Sequence, residues 1–162
     1  MPEPVTAPPP SSRRAASSTE AAERDQLVAR LSSLSLPLMW ALRQRAMGVY
    51  EPFGVRPTRV LLMELVDRGI DQPKAIAEML EAVPPAVTAM VNELMERGWL
   101  ARESDPDDRR RARLRLTQDG GEALREMRAA WHAASRAQLD RFELDHLRSV
   151  LHVFGELLEA RP

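Results

Sequence analysis

Leu27, Leu31, Leu34, Leu38 and Leu42 recur three and four residues apart, the spacing that puts an apolar stripe on one side of a helix. The pattern predicts a helix from about Ala21 toward Met47, bent or split at Pro37, where a helical hydrogen bond is lost. Gly48 and the stretch 51–54 end it. A second helix is predicted from Pro57 to just before Gly69, with Val60, Leu61, Met63, Leu65 and Val66 inward. Asp71 is placed to cap a short third helix that buries Ile76, Ala77, Met79 and Leu80. Val83-Pro84-Pro85 forces extended chain and then pre-sets the first turn of a fourth helix, about Pro85–Arg97. That helix buries Val87, Met90, Val91, Leu94 and Met95, and shows Thr88, Ala89, Asn92, Glu93 and Glu96. Gly98 closes it.

The periodicity then switches from helical to alternating. In residues 98–120 the reading is two strands around a turn at 104–109, with Pro106 stiffening the turn. Arg111, Arg113 and Arg115 alternate with Ala112, Leu114 and Leu116, so one face of the second strand is cationic and the other apolar. Trp99 anchors this hairpin to the helices. Thr117 caps a long helix to about Gln138 carrying Leu124, Met127, Trp131 and Ser135 on one side. A last helix, near 144–159, carries Leu147, Val150, Leu151, Phe154, Leu157 and Leu158. Two short helices, a glycine stop and a basic hairpin predict a winged helix-turn-helix.

The fold class is therefore mainly α with a small β-hairpin wing. The N- and C-terminal helices form a dimerisation arm. Residues 1–20, rich in Pro, Ser and Ala, read as a disordered tail. Residues 21–54 form the N-terminal dimerisation region, 55–116 the winged domain and 117–160 the C-terminal dimerisation helices. The long leucine-rich faces flank the winged domain in sequence, and pairing with a second copy buries them most simply, so a homodimer is expected.

Composition narrows the chemistry. The 162 residues suit one domain and include no Cys, which excludes disulfides and thiolate metal sites. No apolar run is long enough to span a membrane, and no secretory pattern precedes Leu27, so a cytoplasmic protein is expected. The net charge of -1 is unremarkable, but the segment 97–115 carries a net +3. Local charge, more than the sum, marks a nucleic-acid contact. His132, His146 and His152 do not have metal-ligand spacing, and no GxGxxG, P-loop or GxSxG is present. Neither metal, cofactor nor enzymatic activity is expected.

The expected partner is double-stranded DNA. On the fourth helix Thr88 and Asn92 are the candidate base readers. Arg109 and Arg110 at the wing tip suit a narrow minor groove, and Arg111, Arg113 and Arg115 suit phosphates. The acids at the tip pair with neighbouring arginines and brace them. Outside this reading head, Trp40, Arg43 and Tyr50 offer aromatic walls and one cation, which suits a small organic anion; core packing and a surface ion pair are the other account of them. The alternative to a DNA-binding regulator is a protein-interaction scaffold that keeps the fold with weak or lost DNA binding.

These residues carry a resemblance to the MarR family of bacterial transcription regulators over about Leu27–Leu158. DPDDRRRARLRLTQDG (105–120) is similar to that family's wing and the LT-x-x-G start of its next helix. AIAEMLEAVPPAVTAMVNELMERGWLAR (75–102) matches its helix-turn-helix in length and apolar rhythm. The resemblance implies a dimer joined through N- and C-terminal helices, commonly a repressor, released from a pseudo-palindromic operator by a phenolic or other aromatic acid. It assigns the wing's Asp-x-Arg element to Asp108 and Arg110, with Asp108 bracing the minor-groove arginine. It puts an effector cleft where Trp40, Arg43 and Tyr50 fall. One departure is plain: relatives often open the recognition helix with Ser or Thr and follow the Thr with a basic residue. Here Val83-Pro84-Pro85-Ala86 and Ala89 stand instead, which implies a larger share for the wings and DNA shape, or a modest affinity.

Overall fold

The computed structural model describes residues 10–104 and 112–159, with side chains from Thr19 onward except that of Ser104. In chain order the elements are α1 (Pro10–Tyr50), a 3-10 turn (Glu51–Phe53), α2 (Pro57–Asp67), α3 (Pro73–Met79), α4 (Pro84–Glu96), β1 (Leu100–Ser104), β2 (Ala112–Leu116), α5 (Gln118–Leu139) and α6 (Leu144–Glu159). The chain divides into two units, residues 1–44 and 45–162.

The first unit is the body of α1. It departs from expectation at two points. The helix begins at Pro10 rather than near Ala21, so residues 10–20 of the expected disordered tail are helical; residues 1–9 lie outside the described residues. Pro10 occupies the first helical position, where a missing N–H is harmless, and the alanines that follow favour helix. The helix also runs through Pro37 without a break. That proline forfeits its own hydrogen bond, while more than three turns on either side keep theirs. The hydroxyls of Ser33 and Ser35 donate to the carbonyls of Arg30 (2.8 Å) and Ser32 (2.7 Å) just ahead of and beside the weak turn. The leucine stripe from Leu27 to Leu42 is exposed along its length, Leu31 to 68%.

The second unit holds the core. Its most buried large side chains are Leu62, Met63, Ile76, Val87, Val91, Leu94, Leu124 and Met127. Within α2 the buried arc centres on Leu62, Met63 and Val66, and Leu61 faces out at 49% exposure. The expectation for Leu61 was thus off by one position, about 100° of helix rotation. In α3, Ile76 and Ala77 are buried as expected, but Met79 is exposed. Asp71 does not cap α3. The residue before that helix is Gln72, without a side-chain cap, and Pro73 needs none for its absent N–H. Asp71 instead ties the helix entry to the hairpin: its carbonyl accepts the Leu114 N–H at 2.9 Å.

Strands β1 and β2 are antiparallel, with Leu100 opposite Leu116, Arg102 opposite Leu114 and Glu103 opposite Arg113. Leu100 and Leu114 are buried, Leu116 is half-buried and Ala112 is exposed. Burial therefore fades toward the tip, where the hairpin leaves the core. Its base is fixed by three hydrogen bonds. The Thr117 N–H donates to the Trp99 carbonyl (3.1 Å), the Thr117 hydroxyl donates to the Gly98 carbonyl (2.6 Å), and the same hydroxyl oxygen accepts the Gly120 N–H (2.9 Å) as the cap of α5. Gly98 adopts φ +73°, a conformation that favours glycine, at the α4–β1 junction.

Helix α5 is clamped to α2. The Arg128 guanidinium donates to both Glu64 oxygens (2.8 and 2.6 Å) and to Asp67 (2.7 Å). The Arg128 hydrogen bond holds the Glu64 carboxyl below its ordinary 4.5, against a weaker opposing push from partial burial. Arg128 itself is raised, first by Glu64 and then by Asp67. A depressed carboxyl stabilises the fold above its unfolded value and loses that contribution as pH falls through the folded value. Arg128→Met is accordingly expected to cost about 1 kcal/mol near neutral pH, a figure kept small because the group is solvent-screened. The difference should shrink as pH falls through the ordinary carboxylate range and close once it passes below the depressed Glu64 value. Denaturant melts of both proteins between pH 3 and 7 check this.

Trp131 was expected in the dimer arm. It packs instead against the core of the second unit and stacks on Tyr50, ring centroids 6.1 Å apart and planes inclined by 28°. In α6 no described residue is buried. Leu144, Val150, Leu151, Val153, Phe154, Leu157 and Leu158 are all at least half exposed.

Candidate nucleic-acid interface

The sequence sets α4 as a helix with one apolar and one open face. Val83 is extended, as the residue before a proline must be, and Pro84 starts the helix. Val87, Met90, Val91 and Leu94 pin it to the core, leaving Thr88, Ala89, Asn92 and Glu96 exposed. The Thr88 hydroxyl donates back to the Pro84 carbonyl at 3.1 Å. Glu93 is held by Arg59, whose Nη2 and Nε lie 2.8 and 2.9 Å from one carboxylate oxygen. At the far end of the helix Arg97 donates to the carbonyls of Phe53 and Gly54, and its guanidinium lies 5.2 Å from the centre of the Trp99 ring. This clamp joins the end of α4 to the entry of α2. Trp99 is half-buried against the core at the foot of the hairpin, as expected.

On the wing, Arg113 and Arg115 are engaged with acids of this chain. Arg113 is half-buried, and its guanidinium is 3.7 Å from the Asp71 carboxylate. Arg115 pairs with Glu103 on the neighbouring strand. The exposed pair is worth at most about 1 kcal/mol in water, so it orients the guanidinium more than it withholds it. A phosphate competing for the same donor offers a bond of comparable or greater strength. Asp108, Arg109, Arg110 and Arg111 lie outside the described residues. Glu103, Arg59 and Arg97 were not singled out from sequence, and Asp71 only as a helix cap. Glu103 was findable in principle as a wing acid, since a hairpin register of known turn length sets it opposite Arg113 and diagonal to Arg115, with which it pairs. The other three depend on contacts between segments far apart in the chain.

The second candidate set is Trp40, Arg43 and Tyr50. Trp40 and Arg43 are exposed on α1. Tyr50 is buried at 9% exposure beneath Trp131. Its phenol is pushed up, first by burial and second by the negative charge of Glu64. Neither the groove of about 580 Å³ at the α3–α4 elbow nor that of about 300 Å³ beside the α5–α6 turn is lined by any of the three. Among the described residues no group of three His, Cys, Asp or Glu side chains is arranged to hold a metal. His146 sits 3.9 Å from Glu143 and His152 3.3 Å from Glu156, both exposed neighbours on their own segment. No helix among the described residues is long and apolar enough to cross a membrane.

Comparison with known proteins bears on this geometry. The family model described as the MarR family matches residues 57–112. The chain is 32% identical over 139 residues to an uncharacterized HTH-type transcriptional regulator, Mb0904, of Mycobacterium bovis, covering 83% of this chain and 96% of that protein. It is 27% identical over 137 residues to the HTH-type transcriptional repressor MdtR of Bacillus subtilis, covering 84% and 88%. The crystal structure of the YusO protein from Bacillus subtilis superposes with a TM-score of 0.62 at 27% identity, covering 85% of this chain and 98% of that one.

Proposed function

This chain belongs to the MarR family and is a DNA-binding regulator, and from that premise we propose that it works as a homodimeric repressor on a pseudo-palindromic operator. The observation that carries the reading is the α3–α4 pair ending in a hairpin that is locked to it at Asp71, Trp99 and Thr117. A reading helix and a wing held in fixed relation can meet adjacent grooves of one duplex. The likeness to MdtR, a transcriptional repressor, favours repression over activation. The exposed apolar face of α1 and, separately, that of α6 favour a second copy as their cover, since a lone soluble chain rarely leaves such areas to water. In the dimer, two α4 helices would enter successive major grooves about 34–36 Å apart.

Within this reading Thr88 and Asn92 face bases, Arg113 and Arg115 face phosphates, and Arg109, Arg110 and Arg111 extend the cationic wing, with Asp108 bracing Arg110. Arg110→Ala is expected to weaken operator binding by about 1–3 kcal/mol, tenfold or more, while leaving the dimer intact. Mobility shift and sedimentation together check this; unchanged affinity refutes the role given to Arg110. A small aromatic acid is proposed as the releasing ligand, gripped by Trp40 and Arg43, which lie three apart on one helix face. Tyr50, buried, takes no direct part. Titration calorimetry with simple aromatic acids, with and without operator, is expected to show binding that DNA weakens. No heat and no release of DNA would remove the ligand from the account.

A further inference from the structure

The major groove offers donors, acceptors and one apolar group, the thymine methyl. The first two turns of α4 are matched to the last of these. Val83 is 66% exposed, and Pro85, Ala86 and Ala89 are exposed beside it. Neither Pro84 nor Pro85 has an N–H to give a phosphate or a base. The Thr88 hydroxyl has its hydrogen committed to the Pro84 carbonyl at 3.1 Å, so the side chain presents a methyl and lone pairs. Asn92, one turn further on, carries the first amide of this exposed face. Apart from the Thr88 oxygen, the N-terminal half of the reading surface, fully within the described residues, thus presents methyl and methylene side-chain groups.

We infer that α4 selects its operator through van der Waals contact with thymine methyls, with Val83, Ala86 and Ala89 as the specificity-determining side chains. The inference rests on the DNA-binding reading and adds the chemical class of base that the helix selects. A surface of this kind discriminates by excluding water from a methyl rather than by directed hydrogen bonds. It rewards thymine, and it is indifferent to the groove donors and acceptors that a polar helix would read. Asn92 and the wings then set register.

Duplexes enriched by the full-length protein from a random-sequence pool provide the probe. Each is resynthesised with deoxyuridine in place of thymidine in the half-sites, which removes the methyl and keeps the pairing. Affinity is expected to fall about fourfold per contacted methyl, the worth of one buried methylene-sized group. The salt dependence should not change, because phosphate contacts are untouched. The double variant A86G/A89G, checked for folding by thermal melt, is expected to lose most of the thymine-over-uracil preference. Equal affinity of the unaltered protein for thymine and uracil duplexes overturns the inference and leaves DNA binding standing. An equal loss by both protein forms overturns it too, assigning the effect to DNA shape. If the pool yields no enriched duplex, the DNA-binding reading itself falls, and this inference with it.

Discussion

Leu151→Glu is expected to convert the proposed homodimer to a monomer and to abolish binding to a duplex with two half-sites. Leu151 is 74% exposed on α6, in line with Leu147, Phe154 and Leu158. Burying such a side chain contributes about 1.5–3 kcal/mol, and a twofold axis makes every loss count twice. A carboxylate left unpaired among apolar groups adds a further penalty. Together these exceed about 4 kcal/mol, a weakening of the dimer of roughly a thousandfold. The half-site contacts would survive, but each would have to hold the duplex without its twin. Sedimentation gives the mass, and circular dichroism shows whether α6 stays helical. A variant that remains dimeric at micromolar concentration contradicts the part given to α6.

Gly120→Ala is expected to destabilise the fold by about 3 kcal/mol or more, in the upper range for a single substitution. A Cβ at this position would fall on the Trp99 carbonyl, 2.8 Å from its carbon and 2.9 Å from the Trp99 Cα. Neither side can give way. The Trp99 carbonyl is fixed by the Thr117 N–H, and the Gly120 N–H is fixed by the Thr117 hydroxyl. The clash therefore opens the junction between wing and α5. A melting temperature lower by about 10 °C is the expected reading. Gly121→Ala is the internal control, since a Cβ there meets nothing within 4 Å. Removing a glycine from a helix interior should stabilise by roughly 0.5–1 kcal/mol. Neighbouring glycines with opposite signs would tie the effect to the Trp99 carbonyl; equal effects would dissociate it.

The sequence was most legible where local chemistry decides the structure. Helix α6 follows from its apolar spacing, and α5 begins where Thr117 offers a hydroxyl to a free N–H. The paired prolines at 84 and 85 mark the start of α4 for the same reason. Errors came where the local pattern is degenerate. The run Val60-Leu61-Leu62-Met63 is apolar at every position, so periodicity cannot say which leucine faces in; packing against neighbouring elements does. Asp71 had a local fate as a helix cap and a distant one as a strand partner, and the hairpin decided for the second. Tyr50 is the instructive case at the site. Beside Trp40 and Arg43 in sequence it reads as one wall of a pocket, yet Trp131, far along the chain, takes its ring into the core. The wing arginines show the same limit. Their alternation was legible, while the pairing of Arg113 with Asp71 and of Arg115 with Glu103 required the folded hairpin.

The central claim is that two copies of this chain grip one duplex through paired reading helices and cationic wings. The most direct measurement is the stoichiometry and salt dependence of binding to a duplex enriched by the protein from a random pool. The account predicts two chains per duplex and an affinity that falls steeply as salt rises, because the wing arginines displace counterions from phosphates. A single chain per duplex, or an affinity indifferent to salt, would contradict it.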